Sequence, residues 1–179
     1  MNLEEKNLSK KTLLKGIVFD VERIDVELGD GTTSKRDIVR HIGGVGVLAR
    51  NAEGQFLLVK QYRKAIEALS LEIVAGMREA GEDAERTGKR ELVEETGYHA
   101  TSMHYLGKFT PSPGYTDEVD ELYYAELSAG SGGLKLDSDE RLIVETYSFD
   151  EMEALFRENK ICDGKSIAAW FFAKDKGYI

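Results

Sequence analysis

Apolar and polar residues alternate over residues 16–31, GIVFDVERIDVELGDG, with Val21, Ile24, Val26 and Leu28 partly in register before a Gly-Asp-Gly turn. A period of two marks a half-buried strand. A second strand is expected over 36–41. Residues 1–14 are polar and expected to fray. Strands follow at 45–50 and 55–61, joined by an Asn-Ala-Glu-Gly turn, with a short strand at 71–74. Over 82–96 the pattern changes to that of a helix. Strands at 102–109 and 121–126 flank a Pro-Ser-Pro-Gly loop, and a Gly/Ser-rich turn covers 128–133. A strand at 142–149 precedes two helices, one capped by Asp150 and running to 158, the other capped by Asp163 and spanning 164–176. No repeat or low-complexity linker interrupts this order. It is the order of an α/β fold (α+β in its segregation): an α/β/α sandwich built on a mixed sheet. The first strands form an antiparallel β appendage. The domain boundaries are then 1–42 for the appendage and 43–179 for the main domain.

The helix at 82–96 carries the chemistry. Glu91, Glu94 and Glu95 stand at i, i+3 and i+4, so they share one face. Like charges at that spacing repel, and an isolated helix is destabilised by them. Glu-rich faces are commonly just solvated. Here, however, Ala84, Thr87 and Gly88 lie on the same side, where a solvated face would carry long polar chains. A glycine inside a helix costs about 1 kcal/mol relative to alanine and therefore suggests close packing, here against another backbone. Leu92 and Val93 anchor the other side, and Gly97 ends the helix. A cation is expected against the glutamates. All-oxygen donors suit Mg²⁺ or Mn²⁺ rather than zinc, and Mg²⁺ held this way usually serves a phosphate substrate.

Composition narrows the class. The 179 residues carry a net charge of −9, which argues against general nucleic-acid binding. An acidic protein acting on a polyphosphate again needs cations between the two. The single Cys162 excludes an intramolecular disulfide and fits a reducing compartment. The start, MNLEEKNLSKK, lacks the apolar core of a signal peptide, and no apolar run approaches the roughly 18 residues of a membrane span. A cytoplasmic protein with no membrane or nucleic-acid partner is expected. Gly164-Lys165-Ser166 imitates the end of a phosphate-binding P-loop, but Asn159 stands where its first glycine belongs and a helix precedes it. His41, His99 and His104 share no ligand spacing.

Residues 76–98, GMREAGEDAERTGKRELVEETGY, resemble the Nudix hydrolase signature G-x5-E-x7-R-E-U-x-E-E-x-G-U, where U is a bulky apolar residue. Gly76, Glu82, Arg90, Glu91, Leu92, Glu94, Glu95, Gly97 and Tyr98 fill every fixed position without insertion. Residues 41–63, the loop 110–118 (TPSPGYTDE) and the tail 161–172 resemble the ADP-ribose and nucleoside diphosphate sugar branch of that family. Val74, where many members carry proline, and Thr87-Gly88, where alanines are usual, are departures that remove no charged group.

The resemblance implies Mg²⁺-dependent hydrolysis (Mn²⁺ as the alternative ion) of the diphosphate in nucleoside diphosphate sugars. ADP-ribose leads, giving AMP and ribose 5-phosphate, and GDP-mannose and its like come next. A nucleoside triphosphate house-cleaning enzyme and a non-catalytic nucleotide-sugar sensor are the alternatives. It implies metal ligation by Glu91, Glu94, Glu95 and the Ala75 carbonyl, with Arg90 pairing Glu82. It also implies a general base at Glu140, with Asp139 as runner-up. Arg63 would bind the diphosphate, or else make a surface ion pair. Arg36 would touch substrate, Glu118 would hold distal sugar hydroxyls, and Ser112, Pro113 and Gly114 would shape that pocket. Phe19 or Tyr62 would stack on the base, unless they are core aromatics. A homodimer exchanging its N-terminal strands to complete each other's site is implied as well.

Overall fold

A computed structural model describes residues 2–79, 81–129, 132–133 and 141–179. The chain divides into two compact units, one of Met1–Gly43 with Thr110–Val119, the other of Gly44–Phe109 with Asp120–Ile179.

The first unit is an antiparallel sheet in the order β1-β2-β3, with β1 at Lys6–Lys15, β2 at Phe19–Glu27 and β3 at Thr33–His41. The alternation read in β2 is real: Glu22, Ile24 and Val26 are buried, while Arg23 and Asp25 face the other way. The expected fraying of 1–14 is corrected, because Lys6–Lys15 pairs with β2 along its length. All of its side chains remain exposed. An edge strand held by backbone bonds and by polar pairs such as Lys10–Glu22 (3.0 Å) and Ser9–Asp25 (2.6 Å) shows no apolar period. The segment Thr110–Val119 is tied to β3 by Val39 N–H to the Tyr115 carbonyl at 2.7 Å.

The second unit holds a seven-stranded mixed sheet in the order β10-β5-β4-β9-β8, with β6 on β5 and β7 on β4. Its strands are β4 (Gly44–Arg50), β5 (Phe56–Arg63), β6 (Ala68–Glu72), β7 (Val74–Met77), β8 (Ala100–Phe109), β9 (Asp120–Leu127) and β10 (Leu142–Tyr147). Its helices are α1 (Ala84–Thr96), α2 (Phe149–Arg157) and α3 (Gly164–Asp175). The strand expected at 71–74 is really two, broken at Ile73, so that β6 pairs with β5 and β7 with β4.

Period-two alternation sends successive residues to opposite cores. Val45, Val47, Ala49, Leu57, Val59, Tyr123 and Ala125 pack with Ala84 and Leu92 of α1. Leu48, Phe56, Leu58, Leu122 and Tyr124 pack with Met152, Ala169 and Trp170 of α2 and α3. This is helix–sheet–helix layering. One cap is corrected: Ser148, not Asp150, caps α2, accepting from Glu151 N–H while the Glu151 carboxylate takes the Ser148 N–H. A serine with glutamate three residues on makes the reciprocal capping box, which a lone aspartate inside the first turn does not. Asp163 caps α3 as expected.

Candidate active site

The helix α1 is held at both ends. Asp83 accepts from Arg86 N–H at 2.8 Å, and Gly97 adopts φ 73°, where its N–H reaches the Val93 carbonyl at 2.9 Å. Only glycine reaches that left-handed region without strain. The buried stripe is Ala84, Thr87, Gly88, Glu91, Leu92, Glu95 and Thr96. Val93 is only half-buried, and the apolar anchors of the helix are Leu92 and Ala84. A Cβ at Gly88 would meet Met103 Cε at 2.5 Å and Val47 Cγ2 at 2.9 Å. Side chains of β8 and β4, rather than another backbone, are therefore what its smallness admits.

Two glutamates of the box are sunk into the protein, Glu91 at 8 % exposed and Glu95 at 3 %. The strand β7 runs antiparallel to β4, with Val45 opposite Gly76 and Gly46 opposite Ala75. This brings the Gly76 backbone against the Glu91 carboxylate, which any Cβ at position 76 would overlap. The glycine that opens the box is thus a space requirement of the carboxylate that lies against it.

Arg90 organises the acids. Its Nε donates to Glu82 Oε1 at 3.2 Å and its Nη2 to Glu82 Oε2 at 3.1 Å and the Met77 carbonyl at 3.0 Å. Its Nη1 donates to Glu91 Oε1 at 2.7 Å and Glu94 Oε2 at 2.9 Å. The bonds from Arg90, with help from the Thr87 hydroxyl at 2.9 Å, hold the Glu82 carboxyl down at about 2. Burial works against the Arg90 charge, but the bonds to its glutamates keep the guanidinium firmly protonated. The expected Arg90–Glu82 pair is present. The same guanidinium also reaches two of the expected metal ligands. Among the described residues no three acidic, imidazole or thiolate groups close on one point as a ready metal cage. The donor set itself fits a hard divalent cation: carboxylates on one helix face, one of them in a cradle that a Cβ at Gly76 would fill.

Arg63, at the end of β5, grips Glu72 with two parallel bonds, Nε to Oε1 at 2.8 Å and Nη2 to Oε2 at 2.6 Å. The Glu95 carboxylate acts on it through space. Glu72 is 3 % exposed and also accepts from Lys165 Nζ at 2.6 Å. Burial alone would raise its pKa. The bonds and charge of Arg63 and Lys165 outweigh that and set it at about 2. Sequence reasoning missed Glu72, and it met Lys165 only as part of a false P-loop. An acid between Leu71 and Ile73, in an otherwise apolar strand end, was the available signal, since a buried carboxylate demands cations.

Arg36, Ser112, Gly114 and Glu118 fall in the first unit. Arg36 makes a forked pair with Glu5, at 3.1 and 2.6 Å. Glu118 lies 3.5 Å from His41 Nδ1. Ser112 turns the loop, its carbonyl accepting Tyr115 and Thr116 N–H at 3.1 Å each. Gly114 stands in open space. Phe19 and Tyr62, in different units, are both exposed rather than core aromatics. Glu140 and Asp139, the expected base and its runner-up, lie outside the described residues, as does part of the 128–133 turn. Among the described residues no helix is long and apolar enough to cross a membrane.

Known proteins resemble this chain over most of its length. The chain is 42 % identical over 167 residues to a methanol dehydrogenase activator of Bacillus methanolicus, covering 93 % of this chain and 90 % of the relative. It is 41 % identical over 169 residues to the ADP-ribose pyrophosphatase of Bacillus subtilis (strain 168), covering 94 % and 91 %. A crystal structure of an ADP compounds hydrolase superposes with a TM-score of 0.86 over 99 % of this chain and 98 % of that one. At 22 % identity that likeness speaks for the fold alone. The family model for the NUDIX domain matches residues 40–171. With every fixed position of the box filled, and the family model and a relative of 41 % identity spanning most of its length, the chain belongs to the NUDIX domain family.

Proposed function

We propose that this protein hydrolyses the diphosphate bond of nucleoside diphosphate sugars, with ADP-ribose the leading substrate and GDP-mannose and related sugars next. The observation that carries this reading is the buried carboxylate face of α1, with Glu91 lodged against the Gly76 backbone. Similarity over nearly the whole chain to an ADP-ribose pyrophosphatase supports the choice of substrate. Enzymes of this kind generally depend on a divalent metal. We take the ion to be Mg²⁺, with Mn²⁺ able to replace it, held by Glu91, Glu94, Glu95 and the Ala75 carbonyl. Such an ion supplies charge neutralisation at the phosphates and a more acidic water.

The chain's own groups then have distinct tasks. Arg63 offers N–H donors to phosphate oxygens. Arg90 fixes Glu82, Glu91 and Glu94 relative to the Met77 carbonyl. Glu140, or Asp139 in its place, takes a proton from the attacking water. The water oxygen bonds to one phosphorus, that phosphorus loses its bond to the bridging oxygen, the leaving phosphate keeps the bridging oxygen, and the proton held by the base is passed to a product phosphate or to solvent. With ADP-ribose the products are AMP and ribose 5-phosphate. Arg36, Glu118, Ser112 and Gly114 serve the sugar end of the substrate.

We also infer a homodimer. The strand β1 is the open edge of its sheet, and Leu8, Leu13 and Leu14 on it are exposed. A long exposed edge with apolar side chains invites pairing with another chain. Exchange of these strands between two copies would complete each site. Light scattering at micromolar concentration is expected to give the dimer mass, and a monomer would end this part of the reading. The single exposed Cys162 fits a cytoplasmic setting.

The decisive test is chromatographic product analysis with Mg²⁺ on ADP-ribose, GDP-mannose, UDP-glucose, NADH and 8-oxo-dGTP. Monophosphate products from the diphosphate sugars are expected. Turnover of the triphosphate alone would favour a house-cleaning enzyme. Binding of the sugars without turnover of any would favour a sensing module.

A further inference from the structure

Side chains from β5, β6 and the start of α3 converge just ahead of Ala75 in the chain. Glu72 accepts two bonds from Arg63 and one from Lys165. Lys165, 13 % exposed, also donates to Asp163 Oδ1 at 2.9 Å. Asp163 in turn accepts from the Ser166 hydroxyl at 2.5 Å, and Ser166 Oγ accepts the Ile73 N–H at 2.9 Å. The first turn of α3 is thus stapled to residues 72 and 73. Of the Arg63 donors, Nε and Nη2 are committed to Glu72; among the described residues Nη1 makes no hydrogen bond. Arg63 is the most open member, with 43 % of its side chain exposed.

We propose that Lys165 is a positioning residue for substrate binding: by sharing the Glu72 carboxylate it fixes where the Arg63 guanidinium stands and leaves Nη1 facing outward for the diphosphate. This rests on the reading of Arg63 as a diphosphate-binding group. The physical reason is charge sharing. A carboxylate this buried must be matched by cations. With Lys165 present, one Arg63 fork and one ammonium divide the task. Without Lys165 the carboxylate has only Arg63, which is drawn inward, and its outward donors are withdrawn from phosphate oxygens. Lys165 itself needs no contact with substrate.

The test is a double-mutant cycle on ADP-ribose turnover with Mg²⁺, using wild type, Arg63→Ala, Lys165→Met and the double variant, each checked for folding by thermal melting. Arg63→Ala is expected to raise KM about tenfold or more, as loss of a charge-assisted phosphate contact does. Lys165→Met is expected to raise KM several-fold, with kcat within about twofold, and to add less than about twofold once Arg63 is gone. Lys165→Arg, which keeps the charge, is expected to recover most of the loss. If Lys165→Met does not fold, Lys165→Gln carries the same cycle. An unchanged KM in Lys165→Met, or the same factor with and without Arg63, overturns the positioning role while leaving the Arg63 reading intact. An unchanged KM in Arg63→Ala overturns the Arg63 reading itself.

Discussion

Two charge clusters of the same unit are built in opposite proportions. On α1 one guanidinium, Arg90, touches three carboxylates, Glu82, Glu91 and Glu94. At the end of β6 one carboxylate, Glu72, is touched by two cations, Arg63 and Lys165, the second of which it shares with Asp163. The first grouping keeps a surplus of negative charge and suits a site that takes up a cation. The second holds its acid fully ionised and turns part of a guanidinium outward, which suits a site that takes up an anion. A phosphate substrate that arrives with a metal needs both. The comparison therefore says more about the reaction than either cluster alone.

The largest effect is expected where the negative surplus is cut. Glu95→Gln should lower kcat by at least about a hundredfold, as loss of several kcal/mol of charge stabilisation implies, in steady-state assays with Mg²⁺. Its melting temperature should stay close to wild type, and activity near wild type would dissolve the contrast. Next comes Gly76→Ala, whose methyl would overlap the Glu91 carboxylate. Overpacking of this kind costs about 1–3 kcal/mol and should be visible as lower activity together with weaker metal response. A fully active Gly76→Ala would mean that Glu91 need not lie against that backbone.

The Glu72 cluster is sharpened by pH. Glu72 titrates at about 2 in the folded chain, below its ordinary 4.5. A depressed carboxylate stabilises the fold above its unfolded value, and that stability drains away as pH falls from about 4.5 toward 2. Glu72→Gln should therefore flatten the acid limb of stability against pH in urea melts, while lowering stability at neutral pH because Arg63 and Lys165 lose their shared partner. An unchanged acid limb would contradict the pairing. At Gly97→Ala a φ of 73° costs a non-glycine residue about 1 kcal/mol, and a Cβ would also meet the Gly133 backbone nitrogen at 2.6 Å, so the melting temperature should fall by more than the few degrees the φ alone implies.

The difference between the clusters also explains what could be read in the sequence. The box was legible because its groups are close in the chain, and helical spacing alone puts Glu91, Glu94 and Glu95 on one face. The second cluster joins residues 63, 72 and 165, which only the pairing of β5 with β6 and the docking of α3 bring together. No local period encodes that. Strands of the second unit were legible as short apolar runs bounded by turns, because each side meets a core. The strand β1 was not, because its side chains stay in solvent and it is held by backbone bonds and a few polar pairs rather than by an apolar face. No glycine or proline marks the break at Ile73, and Asp150, inside the first turn of α2, masks the Ser148–Glu151 box two residues earlier.

The central claim, that the acidic face of α1 is a divalent-cation site, is tested most directly by titrating Mn²⁺ into the protein and following its free electron paramagnetic resonance signal, for wild type and Glu95→Gln at neutral pH. Saturable binding by wild type that is lost or greatly weakened in the variant is the predicted result. Equal binding by both proteins would contradict the account.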